Sequence, residues 1–480
     1  MLCRLSPALV VCCAAFAPCA FSAPQPINID LVSVYNDAVA NNADLAAARA
    51  DYQARKEIVP QARAGLLPNV SAGATVSNTR VEIDQPSITS NRSGNAYQAN
   101  LTQPVFRADR WFQLGAAEEI NEQAALLLSA TEQQLILLSA ENYFGVLRAQ
   151  DNLATTKAQE AAFKRQFDQS KERFAAGVAD KTDMLQAQAS FDSSRANRIV
   201  AQRRVDDAFE ALTTLTNRTY SALQGIVHSI PILAPSPSNA TQWVNTAVEQ
   251  NLSLQASQYA VGAAEQTVKQ RKAGHAPTLD VVARYQKGDN DSLGFTNPNE
   301  LGTPFKGDVS QRSISLQLNV PLYSGGLISS KVLEASARLD QSEQQLEGQR
   351  RRVVESTRSL YRAVATDVEQ TQARRQSIIS NQNAVEATET GYRVGTRNIV
   401  DVLDAERQLY SSVYDYNNTR YDYILDNLRL KQTVGSLSPG DLQALMPYLK
   451  RDYNPDTDYL PPGLSNSDPS NLFDSSGRNP

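Results

Sequence analysis

Two carboxylates, Asp401 and Asp404, stand three residues apart near the start of a predicted helix. That spacing places both side chains on one face of the helix. Carboxylates in a first helical turn stabilise the helix by about 0.3–1 kcal/mol each through its dipole. Copies of the same pair gathered around a pore would instead attract cations and bind multivalent ones. A single chain leaves both interpretations open.

Other reactive residues show no arrangement typical of catalysis. His228 and His275 are the two histidines, and their distant, unlike contexts favour loop or strand-edge positions over ligation. All four cysteines lie within residues 1–22. Phosphate loops, nucleophile elbows and metal-spaced clusters do not occur in the sequence. We therefore predict no enzyme activity, cofactor or metal, and the net charge of −5 predicts no nucleic-acid partner.

The elements that would position the acidic pair occur twice. Residues 36–68 recur as residues 245–277 without a gap, from the first asparagine to the last proline. Further on, Tyr143, Gly177 and Asp183 correspond to Tyr361, Gly395 and Asp401. Repetition of this length indicates one long supersecondary unit used twice. We assign the first repeat to residues 23–235 and the second to residues 236–445.

Each repeat holds a long tract without proline, residues 105–230 and residues 322–438. Residues 108–175 are rich in helix-forming Ala, Gln, Glu, Leu and Arg. As one helix they would extend about 100 Å. A seven-residue pattern typical of coiled coils runs through Phe163, Phe167, Ser170 and Phe174, and again through Ile378, Asn381, Val385, Thr388 and Tyr392. Gly177 and Gly395 predict the turns of two helical hairpins, at about 108–217 and 326–435.

Alternating residues between the prolines predict two strands in each repeat, within 66–106 and 277–323. Ile314, Leu316 and Leu318 alternate with serine, glutamine and asparagine. Four strands cannot close a membrane barrel, because the smallest barrels need eight. Either these strands cover a soluble core, or several protomers each contribute four strands. A polar inner face suits a barrel with a lumen.

The two ends of the chain differ from the repeats. Residues 1–22 contain Arg4, an apolar run and a small-x-small site, which is typical of a secretory signal peptide. Residues 446–480 are rich in Pro, Asp, Asn and Ser, so we expect a disordered C-terminal tail.

Three segments resemble the TolC family of outer-membrane export channels. Residues 391–405, Gly-Tyr-Arg-Val-Gly-Thr-Arg-Asn-Ile-Val-Asp-Val-Leu-Asp-Ala, are similar to the helical tip of that family. Residues 100–106 and 319–326 resemble its strand exits, and the resemblance covers about 27–445. It implies a mixed α and β fold and a homotrimer. A 12-stranded outer-membrane barrel would receive four strands from each protomer and continue into a 12-helix periplasmic barrel.

The resemblance also implies a function and partners. The chain would conduct proteins (type I secretion), small toxic compounds (multidrug efflux) or both from an inner-membrane pump to the cell exterior. That pump would be an ABC or resistance-nodulation-division transporter, coupled through a periplasmic adaptor (a membrane fusion protein). The protein would sit in outer-membrane lipid with a large periplasmic part. An equatorial belt would form around residues 31–63, 241–272 and the chain after Asn217 and Gly435.

Family members hold the tip shut with polar links between hairpins. Carried over, these links would join Thr182 and Asp183 to Tyr392 and Arg397, with Lys181 as an additional charge beside them. Threefold symmetry would gather Asp401 and Asp404 into a cation-selective ring. The first repeat has Gln186 at the position of Asp404, so the ring would belong to the second hairpin. The alternative is a trimeric coiled-coil surface or structural protein without a pore.

Overall fold

The computed structural model describes residues 28–85, 88–289 and 307–461. The proposed signal segment 1–22 lies outside these ranges. In the first repeat, the elements in chain order are α1 (Leu31–Asn41), α2 (Ala43–Lys56), α3 (Ile58–Ala64), β1 (Asn69–Ile83), β2 (Ile88–Phe106), α4 (Ala108–Ala175) and α5 (Lys181–Thr216).

The second repeat follows the same order after a short strand, β3 (Gly225–Ile226). Its elements are α6 (Ala240–Gln250), α7 (Leu252–Lys272), β4 (Thr278–Asp289), β5 (Asp308–Asn319), α8 (Leu327–Arg393) and α9 (Ile399–Val434). Four short elements end the described chain: α10 (Pro439–Gln443), a 3-10 helix (Met446–Tyr448), β6 (Leu449–Lys450) and α11 (Pro455–Asp458).

The four long strands form one antiparallel sheet in the order β1-β2-β4-β5, so the two repeats meet between β2 and β4. Directly paired residues share a face of a sheet. One such row is apolar across all four strands: Val70, Leu101, Ala283 and Ile314. The next row is polar: Ser71, Asn100, Arg284 and Ser313. The sheet therefore has one apolar and one polar face along these rows, and the apolar Ile314 is 83% exposed in the single chain.

Each long hairpin packs along the seam that the seven-residue pattern predicts. Phe163 and Ser170 of α4 are buried, and Phe167 stacks on Phe191 of α5 with ring centroids 6.1 Å apart. In α8, Ile378 and Tyr392 are buried while most residues between them are exposed or half-buried. A narrow buried seam with a solvated remainder is coiled-coil packing.

The hairpin turns use glycine in the left-handed conformation. Gly177 has φ +74° and Gly395 has φ +82°, a region that side chains with a Cβ disfavour. The amide of Val178 donates to the Arg173 carbonyl at 3.0 Å, and the amide of Thr396 donates to the Gly391 carbonyl at 2.9 Å. These bonds satisfy carbonyls that the ending helices would leave free, so each chain reversal is well defined.

The largest hydrophobic core surrounds the middle of the long helices. Side chains from α1, from α5 to α9 and from the chain after Gly435 pack against α4 there. The fully buried members include Leu31, Val34, Tyr143, Phe144, Leu147, Leu212 and Tyr421. The Tyr143 hydroxyl donates to the carbonyls of Ile29 (3.2 Å) and Gln224 (2.6 Å). Gln133 donates to the carbonyls of Gly435 (2.8 Å) and Leu437 (3.1 Å). The short helices thus form a packed belt around the long ones.

The prediction of a disordered tail from residue 446 is wrong for residues 446–461. β6 pairs antiparallel with β3, and Tyr453 and Tyr459 are buried against the belt and the long helices. Composition misled the prediction because it averaged the whole segment, whereas a few tyrosines decide where this part of the chain packs. Residues 462–480 lie outside the described ranges.

None of the helices in the described ranges combines the length and hydropathy that a membrane-crossing helix requires.

Candidate functional site at the helical tip

Asp401 caps the helix on which it lies. Its amide donates to the Asn398 side chain at 2.9 Å, and its carboxylate accepts from the Asn398 amide at 3.4 Å. This reciprocal pattern is a capping box, which satisfies two amides at the start of α9. The carboxylate also lies 3.8 Å from the Arg397 guanidinium. In the single chain, Asp401 therefore has the helix-stabilising role.

Asp404 has no part in that cap. Its carboxylate accepts from Arg407 at 2.5 Å, and both side chains are more than half exposed. An exposed ion pair of this kind contributes about 0–1 kcal/mol. Asp404 is therefore available to a neighbouring chain or to solution cations at little energetic cost.

Within one chain, the proposed latch residues of the first hairpin do not pair with those of the second. Thr182 and Arg397 are exposed and Asp183 is half-buried, beside the two hairpin turns. Across the described ranges, no hydrogen bond or ion pair joins Thr182 or Asp183 to Tyr392 or Arg397. Arg397, in the turn before α9, instead lies 3.8 Å from Asp401 in the first turn of that helix. A latch built from these residues would need a second protomer or a different arrangement of the hairpins.

Tyr392 does join the two hairpins, through a residue that the sequence analysis missed. The Arg173 guanidinium of α4 lies 4.7 Å from the centroid of the Tyr392 ring on α8. Tyr392 is only 8% exposed, and its hydroxyl has no hydrogen-bond partner among the described residues. Arg173 occupies the last turn of α4, four residues before Gly177 of the predicted turn, and only that proximity could have indicated it.

Below the turns, a small hydrophobic cluster joins the hairpins. Phe163 of α4 and Ala187 of α5 pack with Tyr392 of α8 and with Ile399, Val402 and Leu403 of α9. The cluster is far smaller than the belt core. Because buried apolar area sets the strength of hydrophobic association, the two hairpins are more weakly joined at the tip than at the belt.

A second missed residue is Glu406, which lies one turn beyond this cluster. Its side chain is buried, and one carboxyl oxygen accepts from the Gln166 amide at 3.1 Å across the hairpins. Burial raises the pKa of Glu406 to about 7, against the weaker lowering effect of the Gln166 bond. The sequence signal was available: Glu406 falls on the apolar seam of α9 between Val402 and Leu409.

Far from the tip, the belt contains a buried polar cluster. Asp151 accepts from the hydroxyls of Tyr421 (2.7 Å) and Tyr453, and lies 3.9 Å from the Arg420 guanidinium. Arg420 donates to Nδ1 of His228, whose Nε2 donates to the Asp458 carbonyl at 2.8 Å. Burial and the Arg420 charge lower the pKa of His228 to about 3, so the imidazole is neutral.

Comparison with known proteins assigns the chain to a family. The family description "Outer membrane efflux protein" matches residues 34–218 and 243–436, one segment in each repeat. The chain belongs to the outer membrane efflux protein family. The family resemblance inferred from residues 391–405 is thereby confirmed.

The similarity to known relatives extends over most of the chain. The chain is 34% identical over 418 residues to the outer membrane protein TolC of Escherichia coli K12, covering 87% of this chain and 84% of the relative. It is 35% identical over 425 residues to TolC of Vibrio cholerae, covering 88% and 94%. The proteases secretion protein PrtF of Dickeya chrysanthemi is 28% identical over 429 residues, covering 86% and 90%.

Two solved structures share the fold of this chain. A CusC structure superposes with a TM-score of 0.74 at 16% identity, covering 85% of this chain and 93% of CusC. The Vibrio cholerae protein VceC gives a TM-score of 0.72 at 16% identity, covering 84% and 96%. The mixed α and β fold, with strands continued by long helices, is confirmed. The protein is an outer-membrane channel for export, with a large periplasmic helical portion.

Proposed function

We propose that three copies of this chain form one continuous duct, a 12-stranded barrel in the outer membrane continued by a 12-helix tunnel with a gated periplasmic tip. The open sheet is the observation that carries the proposal. Among the described strands, β1 pairs only with β2 and β5 only with β4, so both outer edges of the sheet are unpaired. In lipid, every backbone amide and carbonyl needs a partner, so the edges require neighbouring sheets.

The strand pairing, which gives the sheet one apolar and one polar face, supports the same assembly. The exposed row that includes Val70 and Ile314 suits a lipid-facing surface, and the row that includes Asn100 and Arg284 suits a wet lumen. Four strands are too few to close, eight would pack shut, and 12 enclose a lumen. Three protomers supply that number.

At the other end, the tip residues would close the tunnel. Thr182, Asp183, Tyr392 and Arg397 would be linked between hairpins of neighbouring protomers, since the single chain leaves those links unmade. Asp404, whose ion-pair partner is the exposed Arg407, would line a cation-selective ring with Asp401. Exposed links of about 0–1 kcal/mol each would make a latch that a partner can release.

Transport through such a duct would be powered by a partner. A periplasmic adaptor would dock on the helical tunnel and couple it to an inner-membrane ABC or resistance-nodulation-division transporter. The relatives' names point to both kinds of cargo. PrtF is named for protease secretion, and TtgC of Pseudomonas putida is named as a probable efflux pump outer membrane protein.

A matched pair of strand variants tests the assembly together with its pore. Ile314→Arg puts a charge on the apolar face, at a cost of about 2–4 kcal/mol near a bilayer midplane, whereas Ser313→Arg puts the same charge on the polar face. We expect wild type and Ser313→Arg to give cation-selective steps in planar bilayers and Ile314→Arg to lose membrane assembly. Folded wild-type protein that never conducts would favour the pore-free structural alternative.

A further inference from the structure

Glu406 is a carboxyl residue in a position that coiled coils reserve for apolar side chains. The seam of α9 runs through Ile399, Val402, Glu406, Leu409 and Val413, at alternating steps of three and four. Glu406 is 4% exposed. A polar residue at such a position weakens packing, and coiled coils use it where specificity or a switch is needed.

The surroundings of Glu406 form a cavity of about 510 Å³ between α4, α8 and α9. The second carboxyl oxygen of Glu406 and the hydroxyl of Tyr392, which both line it, are buried without a hydrogen-bond partner among the described residues. The titratable and charged groups facing the cavity are Arg165 of α4, Glu386, Glu389, Tyr392 and Arg393 of α8, Tyr410 of α9, and Tyr459 of the C-terminal segment.

No Lys, Arg or His nitrogen of the described chain lies within ion-pair distance of Glu406. Its one hydrogen-bond partner in the described part of the chain is Gln166, which reaches across from the first hairpin. Glu389 opposes ionisation and Arg165 favours it, but burial is the largest influence and leaves the pKa at about 7. A neutral carboxylic acid fits this cavity, whereas a carboxylate would be buried without a cation beside it.

We propose that Glu406 is a gating residue of the tip, whose neutral form braces the two hairpins together and whose ionised form loosens them. The role rests on the proposed gated tip. The Glu406–Gln166 bond spans the hairpins just below the contact between Arg173 and Tyr392, so separation of the hairpins would expose both to water. Water would restore the ordinary acidity of the carboxyl group.

The direction of the pH dependence follows from the difference in the pKa of Glu406 between the closed and the open tip. With the hairpins together the pKa is about 7, and with the cavity hydrated it returns toward the ordinary glutamate value near 4.3. Below the ordinary glutamate pKa, Glu406 is protonated in both the closed and the open state, and the closed tip has its full stabilisation. Between the two values the closed-to-open ratio falls about tenfold per pH unit, a total on the order of 10²-fold per chain, and above about pH 7 it stays low.

The test compares single-channel conductance of wild type and Glu406→Gln in planar bilayers from about pH 4 to about pH 8.5. Glutamine is neutral and nearly isosteric, so we expect it to hold the low-pH conductance throughout, while wild-type conductance rises with pH. Gln166→Leu removes a bond that favours the carboxylate and should move the wild-type midpoint to higher pH. Glu355→Gln, an exposed carboxyl of α8 near the belt, is the matched control and should follow wild type.

Infrared difference titration of wild type against Glu406→Gln gives a readout that does not depend on the gate. A carboxylic-acid band that disappears near pH 7 supports the proposal, and one that disappears near the ordinary glutamate value overturns it.

If wild type and Glu406→Gln share one conductance profile while Tyr392→Phe with Arg397→Ser still opens the channel, the gate stands and the role of Glu406 is wrong. If the Tyr392→Phe, Arg397→Ser protein stays closed, the latch itself is contradicted.

Discussion

The guanidinium of Arg173 lies 4.7 Å from the centroid of the Tyr392 ring, and this contact joins the last turn of α4 to the last turn of α8. It links the two hairpins of one protomer at the point where the hydrophobic cluster below is small. The proposed gate therefore has an aromatic–cation contact inside each protomer in addition to polar links between protomers.

Removing that cation should loosen the tip. A cation–π contact at a partly exposed site is worth about 0.5–1 kcal/mol, and three copies would sum to about 1.5–3 kcal/mol. Arg173→Met keeps an apolar stem over the ring but loses the charge, so we expect a higher single-channel conductance. Arg203→Met, at an exposed arginine of α5, should leave conductance unchanged. Equal conductance in all three proteins would show that the contact does not hold the tip.

The inter-protomer latch can be weakened separately. Tyr392→Phe removes a hydroxyl that has no partner among the described residues of its own chain, and Arg397→Ser removes a guanidinium that can reach a neighbouring Asp183. Each lost bond is worth about 0.5–1.5 kcal/mol, and threefold repetition multiplies the effect. The double variant should raise conductance several-fold and sensitise cells to large antibiotics such as vancomycin. A well-folded double variant with wild-type conductance would count against these residues.

The two aspartates should separate into different roles. Asp401 completes the capping box, so Asp401→Ala should cost about 1 kcal/mol per chain and lower the melting temperature by a few degrees. Asp404 has no cap role, so Asp404→Ala should leave the melting temperature unchanged while it reduces cation selectivity and block by trivalent cations. Unaltered selectivity in Asp404→Ala would leave only the helix-stabilising interpretation.

The C-terminal segment should stabilise the belt. Burial raises the pKa of Asp151, and the hydroxyls of Tyr421 and Tyr453 supply two of its hydrogen bonds. Tyr453→Phe removes one donor from a fully buried carboxyl group, which should cost about 1–3 kcal/mol. Thermal unfolding should show a lower midpoint than in Tyr414→Phe, a control at a more exposed tyrosine. Identical midpoints would mean that the Tyr453 hydroxyl adds no stability to the belt.

Local pattern was sufficient to predict the long elements. The two stretches without proline, which reverse direction at Gly177 and Gly395, form the two hairpins, because seam periodicity and left-handed glycines act over neighbouring turns. Strict alternation at 313–320 marked a strand with two unlike faces, which the register then extends across the sheet. Such features depend on residues that are close in the chain.

Contacts between distant segments could not be predicted from the sequence. Gln166 and Glu406 are 240 residues apart, and Tyr453 and Asp151 are 302 apart. The position of Glu406 on the apolar seam of α9 indicates that it is buried, but no local pattern shows that Gln166 is its partner or that Tyr453 is a partner of Asp151. The tail prediction failed for the same reason: composition describes the average solvation of a segment and does not show which tyrosine finds a buried partner.

The most direct test of the central claim is the mass of the detergent-purified protein, measured by native mass spectrometry. The open four-stranded sheet predicts three chains per particle, each somewhat below the 52.5 kDa of the full sequence if the proposed signal segment is removed. A monodisperse particle of three chains is the expected result. A stable, folded monomer or dimer would leave the sheet edges unpaired and would contradict the duct.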